Sequence, residues 1–361
     1  MRIAVDARPL SDQPSGVGRY LQGLLTAWRG LFPGDAFVLL SPRRVRVPEG
    51  LEDGVEVRLS PRTPGTLWLQ TLAGRAAARA GADLFFGPLG VLPLSGPLPG
   101  VATVHDLTPI LRPEWHTLKN RLGLRPFLGP TVACARRLAA VSENTRADLV
   151  QRFPAAGEKC VVVYNGLAPP PPAEAGPPPN EGRPYVLYLG TLEPRKNLPR
   201  LVRAMESLWD RRPDFPDLVL AGGSGWGLPG FERLLAASRH AARLRRCGYV
   251  TGKEATHLLR HARLLAYPSL YEGFGFPPLE AMAVGTPVVA SSSSSLPEIV
   301  GDAGLLPDPE SEIEIAAALV QAQCDEAWRA LARARGLERV KQFTWTKAAT
   351  RMRALFEEAL S

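Results

Sequence analysis

The sequence has few cysteines and no long apolar run. Four of its 361 residues are cysteine, and they are far apart, with no C-x2-C pair among them: Cys134, Cys160, Cys247 and Cys324. This spacing argues against a structural zinc site and against a disulfide framework. No stretch reaches the roughly 18 apolar residues of a membrane-spanning helix, and Asp6 interrupts the start too early for a secretory signal. We therefore expect a cytoplasmic protein with reduced cysteines.

Several familiar catalytic motifs are also missing from the sequence. It contains no G-x-x-x-x-G-K-[ST] loop, no H-E-x-x-H zinc motif, no Asp-x-Asp pair and no G-x-G-x-x-G that directly follows a predicted strand. The segment G-G-S-G-W has Trp226 where the nucleophile elbow of a hydrolase needs a glycine. These absences argue against a kinase-like protein, a metalloprotease, a dinucleotide-binding enzyme and a hydrolase. We expect neither a metal nor a cofactor.

Length and composition predict two folded domains. At 361 residues the chain is longer than a domain with one hydrophobic core usually is. Its residues are 45% hydrophobic and 22% charged, which is typical of a folded soluble protein. Residues 168–182 are rich in proline, alanine and glycine, a composition that favours an extended linker. We expect one domain over 1–167, this linker, a second domain over 183–345 and a terminal helix over 346–361.

The net charge of +8 falls mostly in the first half of the chain. The basic stretch 112–146 also carries large apolar side chains: Trp115, Leu118, Leu122, Leu124 and Phe127. This pattern fits a solvated basic face, or a surface that contacts an anionic membrane or an acidic acceptor. Nucleic acid is disfavoured because no binding motif accompanies the charge. Peripheral contact with the inner face of a membrane is therefore one expectation for this stretch.

Short β-branched runs alternate with segments of helical period, which is typical of doubly wound α/β folds. Helical spacing of apolar residues is clearest over 17–31 and recurs over 198–209. Strands are predicted over 2–5, 36–40, 55–59, 83–86, 101–104, 138–141 and 160–164, and then over 185–189, 218–221, 249–250, 264–267 and 287–290. The sequence therefore predicts two Rossmann-like domains, each with a ligand crevice at the carboxyl ends of its strands.

Two adjacent cations follow the predicted strand 185–189. The segment G-T-L-E-P-R-K-N places Arg195 and Lys196 beside the start of a helix, where backbone N–H groups already attract anions. These side chains are candidates for a clamp on a diphosphate. Plain surface charge is the alternative interpretation.

A glycine-containing loop with two carboxylates follows the predicted strand 264–267. Its sequence E-G-F-G-F-P-P-L-E begins at Glu272 and ends at Glu280, and its glycines let the backbone approach a ligand. We expect a helix to start at Pro277 or Pro278 and to end at Gly285, with Glu280 in its first turn. Both carboxylates could then accept hydrogen bonds from the hydroxyls of a sugar or ribose. In the alternative interpretation, Glu280 only complements the helix dipole.

These motifs resemble the E-x7-E signature of the retaining glycosyltransferases of family 4. The loop is followed by A-M-A-V-G-T-P-V-V-A-S, and further segments match the family in order: D-A-R and S-G-V-G-R-Y near the start, V-H-D-L, V-S-E-N-T, Y-N-G and L-Y-L-G. The resemblance spans 6–302. It implies the GT-B fold, in which two Rossmann-like lobes surround an interdomain crevice. The first lobe would bind the acceptor and the second lobe the nucleotide-sugar. A final helix would cross back to the first lobe.

The resemblance also implies roles for single residues. Glu280 would bind the ribose of the donor and Glu272 the hydroxyls of its hexose, while Arg195 and Lys196 would hold the diphosphate. His105 would face the hexose near the reacting carbon. Further donor contacts are expected from Gly16 and Gly18 of the N-terminal glycine loop, from Val250 and Thr251 near the base, and from Gly273, Phe274, Gly275 and Leu279.

One position departs from the pattern of the family. Many relatives carry a basic residue directly after the glycine that ends the first strand of the second lobe, where this chain has Thr191. Arg195 is the candidate replacement for that charge.

The predicted reaction is transfer of a hexose with retention of configuration. Because the resemblance offers no carboxylate nucleophile, we expect attack from the face of the departing diphosphate, without a metal. GDP-mannose is the leading donor, with UDP-glucose or UDP-N-acetylglucosamine as alternatives, and the acceptor is a glycan, a lipid-linked group or a small molecule. A sugar-nucleotide epimerase and a non-catalytic nucleotide-binding scaffold are more distant alternatives.

Overall fold

The protein, seen in a computed structural model, divides into two compact units. The structure describes residues 1–10, 16–51, 54–60, 65–172, 179–226 and 230–361, with the backbone alone at 119–125. Unit 1 comprises Met1–Pro113, Leu118–Ala168 and Phe343–Ser361, and unit 2 comprises Glu114–Thr117 and Pro169–Gln342. Part of the predicted linker, 173–178, lies outside the described residues. The chain thus leaves unit 1 twice, for four residues after Pro113 and again after Ala168, and returns to it at Phe343.

Unit 1 contains a parallel sheet of seven strands in the order β3-β2-β1-β4-β5-β6-β7. The strands are β1 (Arg2–Asp6), β2 (Ala36–Ser41), β3 (Val55–Leu59), β4 (Leu84–Gly87), β5 (Gly100–Val104), β6 (Arg137–Ala140) and β7 (Cys160–Val162). The helices are α1 (Gly16–Leu31), α2 (Gly65–Trp68), α3 (Gly74–Arg79), α4 (Thr108–Leu111), α5 (Leu118–Cys134) and α6 (Glu143–Arg152), with a π-helical turn over Leu69–Ala73. The inner strands β1, β2, β4, β5 and β6 are largely buried because helices cover both faces of a parallel sheet, whereas the edge strand β3 is partly exposed.

Unit 2 contains a parallel sheet of six strands in the order β10-β9-β8-β11-β12-β13. The strands are β8 (Tyr185–Leu189), β9 (Asp217–Ala221), β10 (Leu244–Gly248), β11 (Leu264–Tyr267), β12 (Val288–Ala290) and β13 (Gly304–Leu305). The helices are α7 (Leu198–Arg211), α8 (Phe231–Ala237), α9 (Gly252–His261), α10 (Phe276–Ala283), α11 (Leu296–Val300), α12 (Glu312–Cys324) and α13 (Glu326–Arg339). Both units are therefore doubly wound, as the sequence predicts.

Most predicted strands are confirmed to within a residue or two, but one is wrong. The predicted strand 249–250 is a connection, and the strand of this region is β10, which ends at Gly248 with φ of +70°. Tyr249 and Val250 are residue types that favour strands, but the chain turns here into α9, which Thr251 caps with a reciprocal capping box to Glu254. The two-residue strand β13 was missed because it is too short to show a period.

The last helix, α14 (Trp345–Leu360), completes the core of unit 1. Its apolar side chains Met352, Leu355 and Phe356 are buried in one cluster with Trp28 of α1 and Phe86 of β4. At the start of the helix, the Trp345 ring lies so close to α1 that a Cβ on Gly23 would be 2.2 Å from it. Glycine at this position therefore lets the two helices meet.

Each sheet has one point where the strand order reverses. In unit 1, β1 pairs with β2 on one side and with β4 on the other, and in unit 2, β8 pairs with β9 and with β11. The connections after these central strands run to opposite faces of the sheet and leave a crevice at the carboxyl ends, where ligands bind in open α/β sheets. We call these places the first switch point (β1/β4) and the second switch point (β8/β11).

Candidate functional site

The second switch point is formed by two loops that are joined by hydrogen bonds. The loop 190–197 follows β8 and the loop 268–275 follows β11. The backbone N–H of Leu270 donates to the carbonyl of Arg195 at 2.8 Å, and the Asn197 side chain donates to the carbonyl of Pro268 at 3.1 Å. These bonds fix the loops to each other and hold the charged side chains between them.

Five side chains at this point form a connected group, the Lys196 cluster: Glu193, Arg195, Lys196, Tyr267 and Glu272. Lys196 Nζ donates to Glu272 Oε1 at 2.6 Å and to Tyr267 Oη at 2.8 Å. Arg195 donates through Nη1 to Glu272 Oε2 at 2.8 Å and through Nε to Glu193 Oε1 at 2.5 Å. The structure thus brings together three of the four predicted catalytic residues, with two carboxylates facing two cations.

Lys196, Tyr267 and Glu272 of the cluster are buried, and Glu272 is an ionised carboxylate. Burial raises the pKa of Glu272, but the charges of Arg195 and Lys196 outweigh it and hold the pKa at about 2. Burial and the charge of Arg195 lower the pKa of Lys196, and Glu272 opposes that shift. An ammonium group has three N–H donors, and the described contacts of Lys196 use two of them. One N–H of a buried cation therefore remains for a ligand.

A run of serines after β12 shapes the loop that carries Glu272. Ser291 and Ser293 donate to the carbonyl of Ser269, and Ser295 donates to the carbonyls of Glu272 and Phe274. Ser294 lies in the left-handed region with φ of +54°, and its hydroxyl accepts the backbone N–H of Glu272 at 2.8 Å. The serine hydroxyls form hydrogen bonds with backbone groups that would otherwise have no partner in a buried loop.

Glycines allow the close approach of these loops. Gly275 has φ of +127°, and a Cβ there would lie 2.9 Å from Leu296. Gly222, after β9, has φ of +145°, and its Cβ would lie 2.0 Å from the carbonyl oxygen of Gly190. The glycine-rich segment after β9 is therefore a packing element against the loop that leads to Arg195.

The helix α10 (Phe276–Ala283) begins one or two residues earlier than predicted and ends two residues earlier. It starts at Phe276, so Glu280 is its fifth residue and lies beyond the first turn. Proline suits the first turn of a helix, and here the two prolines take its second and third positions. Glu280 is half-buried. Leu279 is fully buried in unit 2, where it packs in the core, and its contact with a donor stays a prediction.

The predicted base-binding residues lie at the edge of the same sheet. Val250 and Thr251 follow β10, which is separated from β8 by β9, or about 10 Å at the usual strand spacing. The Thr251 hydroxyl accepts the backbone N–H of Glu254 to begin α9. Their role in binding a base stays a prediction.

The other predicted site residues belong to unit 1. His105 follows β5, and its Nε2 lies 2.8 Å from the carbonyl oxygen of Pro88, which follows β4. A carbonyl only accepts, so Nε2 carries the proton; burial lowers the pKa of His105, which leaves Nδ1 of the neutral ring as an acceptor. Gly16 and Gly18 open α1, whereas residues 11–15 of the predicted glycine loop lie outside the described residues.

The sequence analysis missed Glu193 and Tyr267 as members of the site. Glu193 lies two residues before Arg195, and an acid so close to a candidate cation was an available signal. Tyr267 ends a predicted strand, yet its contact with Lys196 joins residues 71 positions apart. No pattern along the chain indicates such a pairing.

The predicted membrane-facing stretch 112–146 includes α5, of which the side chains 119–125 lie outside the described residues. Leu118 at its start is 66% exposed. Among the described helices, none is both long and apolar enough to cross a membrane. The described His, Cys, Asp and Glu side chains form no group of three or more that could hold a metal ion.

Two family models match the sequence, one over each half. The family described as "Glycosyl transferases group 1" matches residues 173–342, and "Glycosyltransferase Family 4" matches residues 14–170. The chain is 36% identical over 259 residues to O-antigen chain mannosyltransferase B of Escherichia coli, a match that covers 69% of this chain and 68% of that protein. It is 32% identical over 254 residues to D-inositol 3-phosphate glycosyltransferase of Salinispora tropica, covering 64% and 52%.

A solved structure shows a similar fold. Sucrose-phosphate synthase from Thermosynechococcus elongatus superposes with a TM-score of 0.76 at 22% identity, covering 99% of this chain and 98% of that one. The likeness extends over both units of the chain.

Proposed function

The chain belongs to the group 1 glycosyl transferases and is a hexosyltransferase with the GT-B fold, and we propose that it transfers mannose from GDP-mannose, with retention, to a hydroxyl of a glycan or glycolipid. The proposed donor rests on the 36% identity to a mannosyltransferase. The D-inositol 3-phosphate glycosyltransferase relative shows that neighbours of the chain also serve other acceptors.

The Lys196 cluster is the observation that carries this proposal. Its buried ammonium group has one N–H left over and lies beside a guanidinium, at the carboxyl ends of β8 and β11. This arrangement of donors suits the oxygens of a diphosphate. The two cations are already held in place by Glu272 and Glu193, so little reorganisation is needed when charge develops on the leaving group.

The proposed reaction proceeds on one face of the hexose. The bond from the anomeric carbon to the diphosphate oxygen breaks, the acceptor oxygen bonds to the same carbon from the same face, and the hydroxyl proton passes to the departing phosphate oxygen. Lys196 and Arg195 stabilise the negative charge that develops on that phosphate. With these two cations in that role, the proposed reaction needs no metal.

Glu272 suits the binding of hydroxyls better than nucleophilic attack. Both of its oxygens accept hydrogen bonds from cations, and its pKa of about 2 marks a weakly basic carboxylate. A carboxylate has about four acceptor positions, so lone pairs remain for the hydroxyls of the donor hexose. The proposal therefore gives Glu272 two tasks, the orientation of both cations and the binding of the sugar.

A ligand panel on the purified protein tests the proposal. GDP, UDP, ADP and their hexose conjugates are compared by thermal shift, since a ligand at 100 times its Kd stabilises by about 2.7 kcal/mol. We expect a selective shift with GDP and slow release of GDP from GDP-mannose, and an α-linked product by NMR once an acceptor is supplied. A selective shift with UDP would move the donor to a UDP-sugar, and an epimer formed from donor alone would contradict transfer. Folded protein that binds no nucleotide would overturn the proposal.

A further inference from the structure

The amino edge of the sheet in unit 1 carries a groove that the proposed donor site does not use. The groove has a volume of about 650 Å³, a usual size for a ligand site, and lies where α5 ends and β6 and β7 begin. The first switch point is at the carboxyl edge of the same sheet. The strand β5, with five residues and a length of about 16 Å, separates the two edges. A ligand in this groove would therefore not occupy the crevice.

Three cationic side chains line the groove, and two of them have partners. Lys159 Nζ donates to two backbone carbonyls at the end of α5, both at 3.1 Å. Arg137 Nε donates to Glu358 Oε2 of α14 at 3.1 Å. The third side chain, Arg136, is exposed, and the described residues offer no acceptor for its guanidinium. Arg136 is therefore the group of the groove that is ready to bind an anion.

The geometry of a guanidinium selects the kind of anion. Its N–H groups form a planar fork that matches the two oxygens of a carboxylate or a phosphate. Glu158, which also lines the groove and is exposed, would repel such an anion. The two side chains thus have opposite effects on the same ligand, and each effect can be measured.

A smaller cleft without charged residues adjoins the groove. Its volume is about 90 Å³, about three times the share of one molecule in liquid water. The apolar side chains Phe85, Leu92 and Leu98 line it, and the first two are only 2% and 1% exposed. A narrow alkyl chain fits such a recess, whereas the flat surface of a membrane or a folded protein does not.

Two observations place the cleft beside Arg136. Cys134, the last residue of α5, lines both the groove and the cleft. The backbone N–H of Arg136 donates to the carbonyl of Gly100 at 2.9 Å, and Gly100 lines the cleft. One molecule can therefore reach both places if it joins an anionic group to a short apolar chain.

We propose that the amino edge of unit 1 binds a free anionic amphiphile, with its carboxylate or phosphate on Arg136 and its alkyl chain in the cleft. The charge-assisted hydrogen bonds of Arg136 select the head group, and the removal of apolar surface from water favours the chain. This second site does not depend on the proposed function.

The test measures binding to the whole chain by ligand-observed NMR and by alkylation of cysteine. The probes are octanoate and octyl phosphate, which distinguish the two head groups. Acetate and inorganic phosphate present the same head groups without the chain, and vesicles of phosphatidylglycerol present a membrane. A bound amphiphile should protect Cys134, which is exposed, from iodoacetamide, while the exposed Cys324 of unit 2 is the internal reference.

Three variants assign the binding to this groove. Arg136→Gln removes the cation that binds the head group, and Glu158→Gln removes the carboxylate that opposes it. Arg44→Gln is the matched control, because Arg44 is an exposed arginine of unit 1 that follows β2 at the carboxyl edge. Circular dichroism checks the fold of each variant.

We expect at least one amphiphile to protect Cys134 but not Cys324, and to bind at least tenfold more tightly than its head group alone. Arg136→Gln should raise the Kd about tenfold, the scale for a lost hydrogen bond to a charged group. Glu158→Gln should lower the Kd, and Arg44→Gln should change it less than twofold. If Arg136→Gln does not fold, the wild type and Glu158→Gln decide.

Four results would overturn the inference. They are binding of acetate or phosphate as tight as that of the amphiphiles, equal binding by Arg136→Gln and Arg44→Gln, binding of vesicles alone, and failure of both amphiphiles to protect Cys134 in the folded wild type. A Kd that Glu158→Gln leaves unchanged or raises would also contradict it.

Discussion

Glu272 Oε1 lies 2.6 Å from Lys196 Nζ, in a contact between two side chains that are each about 95% buried. The same carboxylate binds Arg195 through its other oxygen. The residue proposed to bind the sugar therefore contacts, through one carboxylate, both residues proposed to bind the diphosphate. The predictions below follow from this connection and from the packing that supports it.

Lys196→Ala is expected to lower kcat by about 100-fold or more, because a preorganised charge that stabilises the leaving group is lost. Initial rates of GDP release from GDP-mannose measure this effect. Lys341→Ala is the control, since the Lys341 side chain is 69% exposed and forms an ion pair with Glu338, three residues before it. A Lys196→Ala protein that folds and turns over near the wild-type rate would contradict the role of Lys196.

Glu272→Gln is expected to lower the stability of the unliganded protein and to increase its stabilisation by GDP. It leaves two buried cations with one carboxylate fewer, and breaking a buried ion pair typically costs about 3–5 kcal/mol. The unliganded Tm should fall, while GDP should raise the Tm of the variant more than that of the wild type, because a diphosphate restores the missing negative charge. Transfer should fall sharply. A GDP shift smaller than that of the wild type would contradict this account.

The stability of the protein is expected to fall in acid partly through Glu272. Its pKa is lowered from 4.5 to about 2, so its contribution is fully present above about pH 4.5 and is lost as the pH falls towards 2. The shift corresponds to a contribution on the order of 3 kcal/mol. Urea unfolding at pH 6, 4 and 3 should show a shallower loss for Glu272→Gln than for the wild type. Other carboxylates titrate in both proteins and cancel; parallel curves would refute the assignment.

Gly23→Ala is expected to destabilise the protein, because the new Cβ would lie 2.2 Å from the Trp345 ring at the start of α14. Overpacking of this kind costs about 1–3 kcal/mol. Gly30→Ala is the matched control in the same helix, with nothing within 4 Å of its Cβ, and should be neutral or stabilising by up to about 1 kcal/mol. Thermal unfolding of both variants measures the difference, and equal Tm values would contradict the packing.

Local patterns predicted much of the fold and three of the side chains that meet at the candidate site. The strands 185–189 and 264–267 were predicted at their observed limits because they are buried apolar runs, and Arg195, Lys196 and Glu272 were predicted because each follows a strand of the same parallel sheet. The strand order, and with it the choice of β8 and β11 as the switch point, depends on pairing between distant segments, which no local pattern encodes.

Contacts between distant residues account for what the sequence did not predict. The partners of Lys196 lie 71 and 76 residues away, and the serines that shape the Glu272 loop come from the next strand of the sheet. The limits of α10 were wrong by a residue or two because Phe276 adopts helical geometry before the two prolines. Sequence patterns thus predict which residues the site contains, whereas the partners of each residue depend on the assembled sheet.

The return of α14 to unit 1 has a consequence for the order in which the protein is made. Trp28 and Phe86 leave the ribosome early, yet their partner Phe356 lies five residues from the end of the sequence. Unit 1 therefore cannot finish its core during synthesis until unit 2 has been translated, and its apolar surface stays open throughout that interval. The nascent chain would depend on chaperones for longest in its first half, even though that half is translated first.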